Sequence, residues 1–259
     1  MSITANNISL SYKDKNILKN IDIEISKGEI ITILGPNGAG KSSLLNIISG
    51  EIDINKGDVF YEDSLLSELS IQERAYMRSV MSQSQPIVFD FTVREIVEMG
   101  WLDKGNLRYS DNINSAISGV LNDCEIAHLE KRKFNTLSGG EQRRVHFARS
   151  LIQLWRESNN KDSRYLMLDE PTSNLDLSHQ IKLMKMLKEL ANDGVGVLLI
   201  LHDLNLAFNF SDYIAIIKNG KLFAYDKPLN IINKNILENV FELTFNVDIV
   251  DNKININYV

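Results

Sequence analysis

The sequence predicts an α/β domain whose mixed core sheet carries an N-terminal antiparallel β lobe and a helical subdomain insert. Three observations predict it. The first 25 residues alternate apolar and polar side chains with a period of two, as strands with one wet face do. Three short apolar runs further along are continuous, as strands covered on both faces are. Between the first of these and the other two, from about residue 92 to 156, the apolar period becomes that of helices.

Taken in order, Ile8, Leu10 and Tyr12, then Ile21, Ile23 and Ile25, recur at every second position and open the fold with an antiparallel β lobe. Ile30–Leu34 is a continuous, β-branched run followed by a Gly-rich turn and the helix-like KSSLLNIIS, which reads as strand, loop, helix. In the insert, Ile113, Ala116, Ile117, Val120, Leu121 and Cys124 fall on one helical face. Residues 165–168 and 195–201 read as two more buried strands with a helix over about 178–192 between them, so the sheet is at least partly parallel. Residues 213–217, the turn KNGK and residues 222–225 form a hairpin built on Asn219-Gly220, residues that tolerate positive φ. The closing FNVDIVDNKININYV alternates like strands and is compatible with a short appended sheet. No repeat or linker divides the chain. Residues 1–259 are expected to form one domain, with the helical insert over about 84–156 and a C-terminal extension over about 227–259.

Composition excludes several classes. With 44% apolar and 24% charged residues in 259, the chain has the balance of an ordinary globular protein. Its longest apolar runs fall far short of the roughly 20 residues a membrane-spanning helix needs. The opening MSITANNISLSY lacks a basic segment followed by an apolar one, so no secretory signal is expected and the protein is expected to stay in the cytoplasm. Cys124 is the only cysteine, which rules out an internal disulfide, and is expected to be a small apolar core residue on a helix. A net charge of −6 with interspersed signs lacks the basicity of a nucleic-acid binder, so nucleic acid is not an expected partner.

The chemistry begins at Gly35-Pro36-Asn37-Gly38-Ala39-Gly40-Lys41-Ser42-Ser43, which fits G-x-x-x-x-G-K-[ST] between a buried strand and a helix. Glycines let backbone N–H groups curl around phosphate oxygens, and the helix N-terminus adds a favourable dipole. Lys41 reaches the outer phosphates and Ser42 is placed to ligate Mg²⁺, so the expected ligand is a nucleoside triphosphate. A Gly-rich turn kept for packing is the plain alternative; the neighbouring motifs argue against it.

Tyr165-Leu166-Met167-Leu168-Asp169-Glu170 is an apolar strand ending in two carboxylates, with Asp169 suited to hold the metal through its shell and Glu170 to polarise water. His202 ends another apolar strand, at the sheet edge where ligands sit, and is compatible with a γ-phosphate contact or with a purely structural role. Leu137-Ser138-Gly139-Gly140-Glu141-Gln142 opens a helix carrying Arg143, Arg144, Val145, Phe147, Ala148 and Leu151; its free amides suit an anion, and read alone it is equally a plain capping box.

The order of these motifs, GPNGAGKSS, a glutamine, LSGGEQRR, LMLDEPTSNLD and a histidine, resembles the ATP-binding cassette (ABC) ATPases over nearly the whole chain. The resemblance implies a P-loop ABC nucleotide-binding fold acting as a head-to-tail pair, each ATP lying between the P-loop of one copy and the LSGGE turn of the other. With one motif set per chain, the partner is a second identical chain or a related one, an identical copy being expected, its Ser138, Gly139, Gly140 and Glu141 facing the nucleotide across the interface. The resemblance further assigns Tyr12 to stacking on adenine, and Gln83, with Gln85 second by register, to joining Mg²⁺ and the attacking water to the helical insert. It places Asp176, in Ser173-Asn174-Leu175-Asp176, at the dimer interface, where an ordinary turn and helix cap is the alternative.

Lys41, Gln83, Asp169, Glu170 and His202 together imply a hydrolysing motor. The insert is the size of a transporter cassette's helical lobe, unlike tandem translation factors or DNA-repair ATPases; an iron-sulfur assembly ATPase is the remaining soluble alternative. LDLSHQ, HDLNLA and TVREIVEMG are similar to importers of iron chelates and cobalamin, and Gln153-Leu154-Trp155 with the polar RESNNKDSR to haem importer ATPases. Haem ranks first as cargo, ferric siderophore second, cobalamin third. Trp101 and Leu102 depart from that subgroup's pattern. The implied partners are an integral-membrane permease dimer and, indirectly, a periplasmic haem-binding protein, with the chain on the cytoplasmic face of the membrane. Ile87, Val88 and Phe89 are candidates for the permease contact, with core packing as the alternative.

Overall fold

The computed structural model describes residues 1–13, 15–83, 87–102, 113–156, 162–251 and 253–258. Gln85 and residues 157–161 of the polar segment RESNNKDSR lie outside the described residues. Strands β1 (Ser2–Tyr12) and β2 (Lys15–Ser26) pair antiparallel, and β3 (Ile30–Leu34) leads into α1 (Lys41–Ile48). Strands β4 (Lys56–Tyr61) and β5 (Ser64–Leu65) complete the first lobe in the order β2-β1-β4-β5. A short helix α2 (Ile71–Met77), closed by a Ser70–Glu73 capping box, turns the chain into β6 (Arg78–Met81).

The insert follows: α3 (Val93–Glu98), α4 (Ile113–Asp123) and the long α5 (Gly139–Leu154). The chain then alternates through β7 (Arg164–Asp169), α6 (Leu177–Asn192), β8 (Val195–Ile200) and α7 (Leu204–Phe210) to the hairpin β9 (Tyr213–Lys218) and β10 (Lys221–Asp226). Helices α8 (Pro228–Ile231) and α9 (Lys234–Phe241) and the hairpin β11 (Phe245–Val250) and β12 (Lys253–Tyr258) close it.

The second sheet runs β10-β9-β3-β8-β7-β6, with β9, β3, β8, β7 and β6 parallel and β10 antiparallel at the edge, so the expected mixed sheet is present. It divides the interior in two. On β3, Ile31 and Ile33 face a core shared with the antiparallel lobe and α1, while Ile30 and Leu34 face a core shared with the helical insert, α6 and α7. Period-two alternation thus persists in a strand that reads as uniformly apolar, each face having its own apolar layer. No helix among the described residues is long and apolar enough to cross a membrane.

The apolar face of α4 packs as its spacing predicts, with Ala116, Ile117, Val120 and Leu121 buried. Cys124 is buried but lies one residue beyond α4 rather than on a helix, because the last turn closes with Cys124 N–H donating to Val120 O; burial pushes its thiol up, out of the reactive range. Trp101 packs against Trp155 with ring centroids 5.5 Å apart, so the departure at position 101 is met by a packing partner at the far end of α5. Ile87 is half-buried against the helical-lobe core, whereas Val88 and Phe89 are exposed. Core packing therefore accounts for Ile87 and not for the other two.

His146 lies buried on α5 with its ring edge-on to Phe134 at 5.1 Å. Burial, with Arg149 and Arg143 nearby, pushes it down to about 4, so the folded state holds it neutral where the unfolded chain begins to protonate it. Its contribution is complete above pH 6.5 and is lost as pH falls towards 4, about 3 kcal/mol over that window. Urea midpoints at pH 7 and 4.5 should therefore converge in His146→Leu relative to the parent; an unchanged gap would show that other groups carry the slope.

Candidate active site

Residues 35–43 wrap the mouth of a cleft of about 620 Å³ between the antiparallel lobe and the C-terminal ends of the parallel strands. The loop is held from beneath by the β9–β10 hairpin: Gly220 N–H donates to Ala39 O at 3.1 Å, and Gly220 O accepts from Lys19 N–H at 2.8 Å. Gly35, at φ 151°, sits so close that a Cβ there would meet the Ile217 carbonyl oxygen at 2.1 Å. Ala39 N–H donates to Pro36 O at 3.2 Å within the loop. Helix α1 begins at Lys41 after Gly40 with no side-chain cap and no acid in its first turn, which leaves N–H donors for an anion. Asn37, Gly38, Gly40, Ser42 and Ser43 line the cleft. Lys41 is buried, its Nζ donating to Gly35 O at 2.9 Å and Pro36 O at 3.0 Å. Burial lowers its pKa, and the carboxylates of Glu170 and Asp169 pull it back up.

Facing the loop, β7 delivers Asp169 and Glu170. Asp169 is 4% exposed and its Oδ1 is buried without a hydrogen-bond partner. Burial raises its pKa, the Ser42 hydroxyl bonding the carboxyl lowers it, and neighbouring Glu170 raises it again. A buried carboxylate oxygen with no partner beside a serine hydroxyl suits a hard, oxygen-seeking cation, so Mg²⁺ fits this donor set. Glu170 stands at φ 51°, a left-handed conformation that a non-glycine residue holds only under constraint. Its Oε1 lies 2.5 Å from His202 Nε2, and its Oε2 accepts from Gln83 Nε2 at 2.9 Å. One carboxylate is therefore held between a histidine from the end of β8 and a glutamine from the end of β6.

The structure brings Lys41, Ser42, Gln83, Asp169, Glu170 and His202 together. Tyr12, Ser138, Gly139, Gly140, Glu141 and Asp176 do not line the cleft. Tyr12 is exposed at the end of β1, paired with Lys15, which does line it. Ser138 caps α5, its N–H donating to Glu141 Oε2 at 2.8 Å, so within one chain this turn is the plain capping box. Asp176 likewise caps α6, accepting from His179 N–H at 2.9 Å.

Arg143 is the site residue to which the sequence reading gave no role. It is 8% exposed, and its guanidinium donates to the carbonyls of Gln83, Asp169 and Glu170. The available signal is a cation in register with Phe147, Leu151 and Leu154 on the buried face of α5, where a charge persists only with partners.

Comparison with known proteins agrees with this geometry. A family model described as ABC transporter matches residues 18–173. The hemin import ATP-binding protein HmuV of Pseudoalteromonas translucida is 37% identical over 93% of this chain and 92% of its own length. HmuV of Aliivibrio fischeri is 40% identical over 93% and 90%. The dimeric bacterial ABC transporter cassette MJ0796 superposes with a TM-score of 0.77 at 28% identity, covering 87% of this chain and 98% of its own.

Proposed function

Because the chain belongs to the ABC transporter family, as a cassette that binds and hydrolyses ATP, we propose that it is the motor subunit of a haem (hemin) importer. Two copies act head to tail, and a membrane permease passes the cargo delivered by a periplasmic haem-binding protein. The observation that carries the hydrolytic assignment is the Glu170 carboxylate, held from both sides by Gln83 and His202 and facing the P-loop.

The P-loop amides and the first turn of α1 bind the phosphates of ATP, and Lys41 leaves Gly35 O and Pro36 O to serve the outer phosphate oxygens. Ser42, Asp169 and Gln83 would hold Mg²⁺, which would supply positive charge to the phosphate chain as it reacts. Glu170 takes up the proton of the attacking water, and Gln83 and His202 orient its carboxylate. Tyr12 stacks on adenine. Ser138 and Gly140 of the second copy complete the site, which is why that turn stands apart from the cleft of its own chain. Its Ser138 amide is satisfied by Glu141 in the meantime. Exposed Val88 and Phe89, just beyond Gln83, are the surface offered to the permease.

Cargo follows from relatives named for hemin import at 36–40% identity, not from any contact this subunit makes. Reconstituted in liposomes with a hemin-importer permease, the chain should support ATP-dependent uptake of hemin. Uptake of a ferric siderophore or cobalamin in its place would overturn the cargo while leaving the ATPase assignment standing.

A further inference from the structure

The β6–β7 ladder ends at the pair Met81 and Leu168. Past it β6 and β7 no longer pair with each other, and β7 keeps its register only on the other side, where Asp169 pairs with Ile200 of β8. Within two residues of the Met81–Leu168 pair lie the carbonyls of Gln83, Asp169 and Glu170, and one guanidinium takes all three. Arg143 Nη1 donates to Gln83 O at 3.0 Å, and Nη2 donates to Asp169 O at 2.5 Å and to Glu170 O. Glu170 O also accepts from Ser173 Oγ at 2.9 Å and Ser173 N–H at 3.2 Å. The left-handed kink at Glu170 is thus held at its carbonyl from α5 and from the following turn, while its N–H donates to Ile200 O at 3.1 Å. A planar fork spreads its donors over separate nitrogens and so reaches carbonyls on two segments at once, whereas an ammonium gathers its three donors on one compact nitrogen.

Arg143 stands on the same helix that Ser138 caps, little more than one turn from the Ser-Gly-Gly segment. Any displacement of α5 moves the donors that set the peptide planes of Gln83 and Glu170. We infer that Arg143 is a positioning residue for hydrolysis: it fixes the direction of the Glu170 and Gln83 side chains through their carbonyls and couples both to the position of the LSGGE helix. The inference rests on the ATPase reading for its kinetic consequence but not for its structural one.

The test uses the full chain with Arg143→Met, which keeps length and removes every donor, and with Arg143→Lys and Arg143→Gln, which keep some. In Arg143→Met, kcat should fall on the order of 10²-fold with KM for ATP nearly unchanged, because misdirection of a catalytic group by about 1 Å acts on the chemical step. Lys and Gln should recover part of it. In a Glu170→Gln background Arg143→Met should cost far less than in the parent, since most of its effect on the chemical step passes through Glu170. Without nucleotide, amide exchange at residues 82–83 and 169–173 should rise by about tenfold or more. If Arg143→Met fails to fold, the Lys and Gln variants carry the same comparisons.

Wild-type kcat in a folded variant, full additivity with Glu170→Gln, or unchanged exchange would each overturn the inference. If the parent chain itself turns over no ATP, it is the ATPase reading that fails, and the exchange comparison still decides whether the clamp exists.

Discussion

Glu170→Gln should bind ATP with magnesium as tightly as the parent chain while turning it over about 10²- to 10⁴-fold more slowly, the range that general-base catalysis supplies. The substitution is nearly isosteric, and the amide can still meet His202 on one atom and Gln83 on the other, the two contacts that hold the carboxylate now. Lost are the negative charge and the ability to take a proton. A second consequence follows from the adjacent residue. Glu170 is among the influences that raise the Asp169 carboxyl, so neutralising it lowers Asp169 and keeps that carboxylate ionised to lower pH. Magnesium-dependent nucleotide binding should therefore persist further into the acid range in the variant. Equilibrium binding of ATP and phosphate release measured on the same preparations separate the two effects. Near-parental turnover would assign the base to another group, and lost binding would place Glu170 among the ligands of the nucleotide.

Much of this site was legible in the sequence because each part obeys a local rule. The P-loop is defined by glycines at fixed spacing, and Asp169, Glu170 and His202 by their place at the ends of apolar runs in a parallel sheet, where the fold must put them near the loop. The hairpin was legible too, from Asn219-Gly220, both at positive φ in the structure. Its consequence was not. That Gly220 and Ile217 form the floor under residues 35–39 depends on β9 pairing with β3, a contact between residues 182 apart in the chain that no local period encodes. Arg143 was hidden for the same reason: its partners are backbone carbonyls, which have no signature in the sequence. The alternation of the last residues marks the C-terminal hairpin but not what it docks against. Asn205 and Asn209, one turn apart on α7, exchange paired hydrogen bonds with the backbone of Ile256 and Ile254, so two side chains stand in for a neighbouring strand beside β12.

That floor makes a prediction that separates two kinds of glycine within a single loop. Gly35 and Gly38 both have positive φ, 151° and 76°, so an alanine at either pays for a backbone conformation that L-residues avoid, about 1–2 kcal/mol. They differ in what stands beside them. A Cβ on Gly38 meets nothing within 4 Å, whereas one on Gly35 would stand 2.1 Å from the Ile217 carbonyl oxygen, a backbone atom near the end of β9 in a residue paired with Leu222 of β10. Relief requires either the loop to lift or β9 to shift against β3, and both disturb the cleft. Gly35→Ala should therefore cost about 4 kcal/mol or more, the range kept for overpacking and backbone strain combined, and lower the melting temperature by about 10 °C in a chain of this size. Gly38→Ala should lose no more than about half of that while still weakening ATP, because its open side is where phosphate must approach. Thermal unfolding and ATP binding of the two variants check this directly. Equal stabilities would mean that the β9–β10 hairpin does not support the loop, and that its rigidity comes from α1 alone.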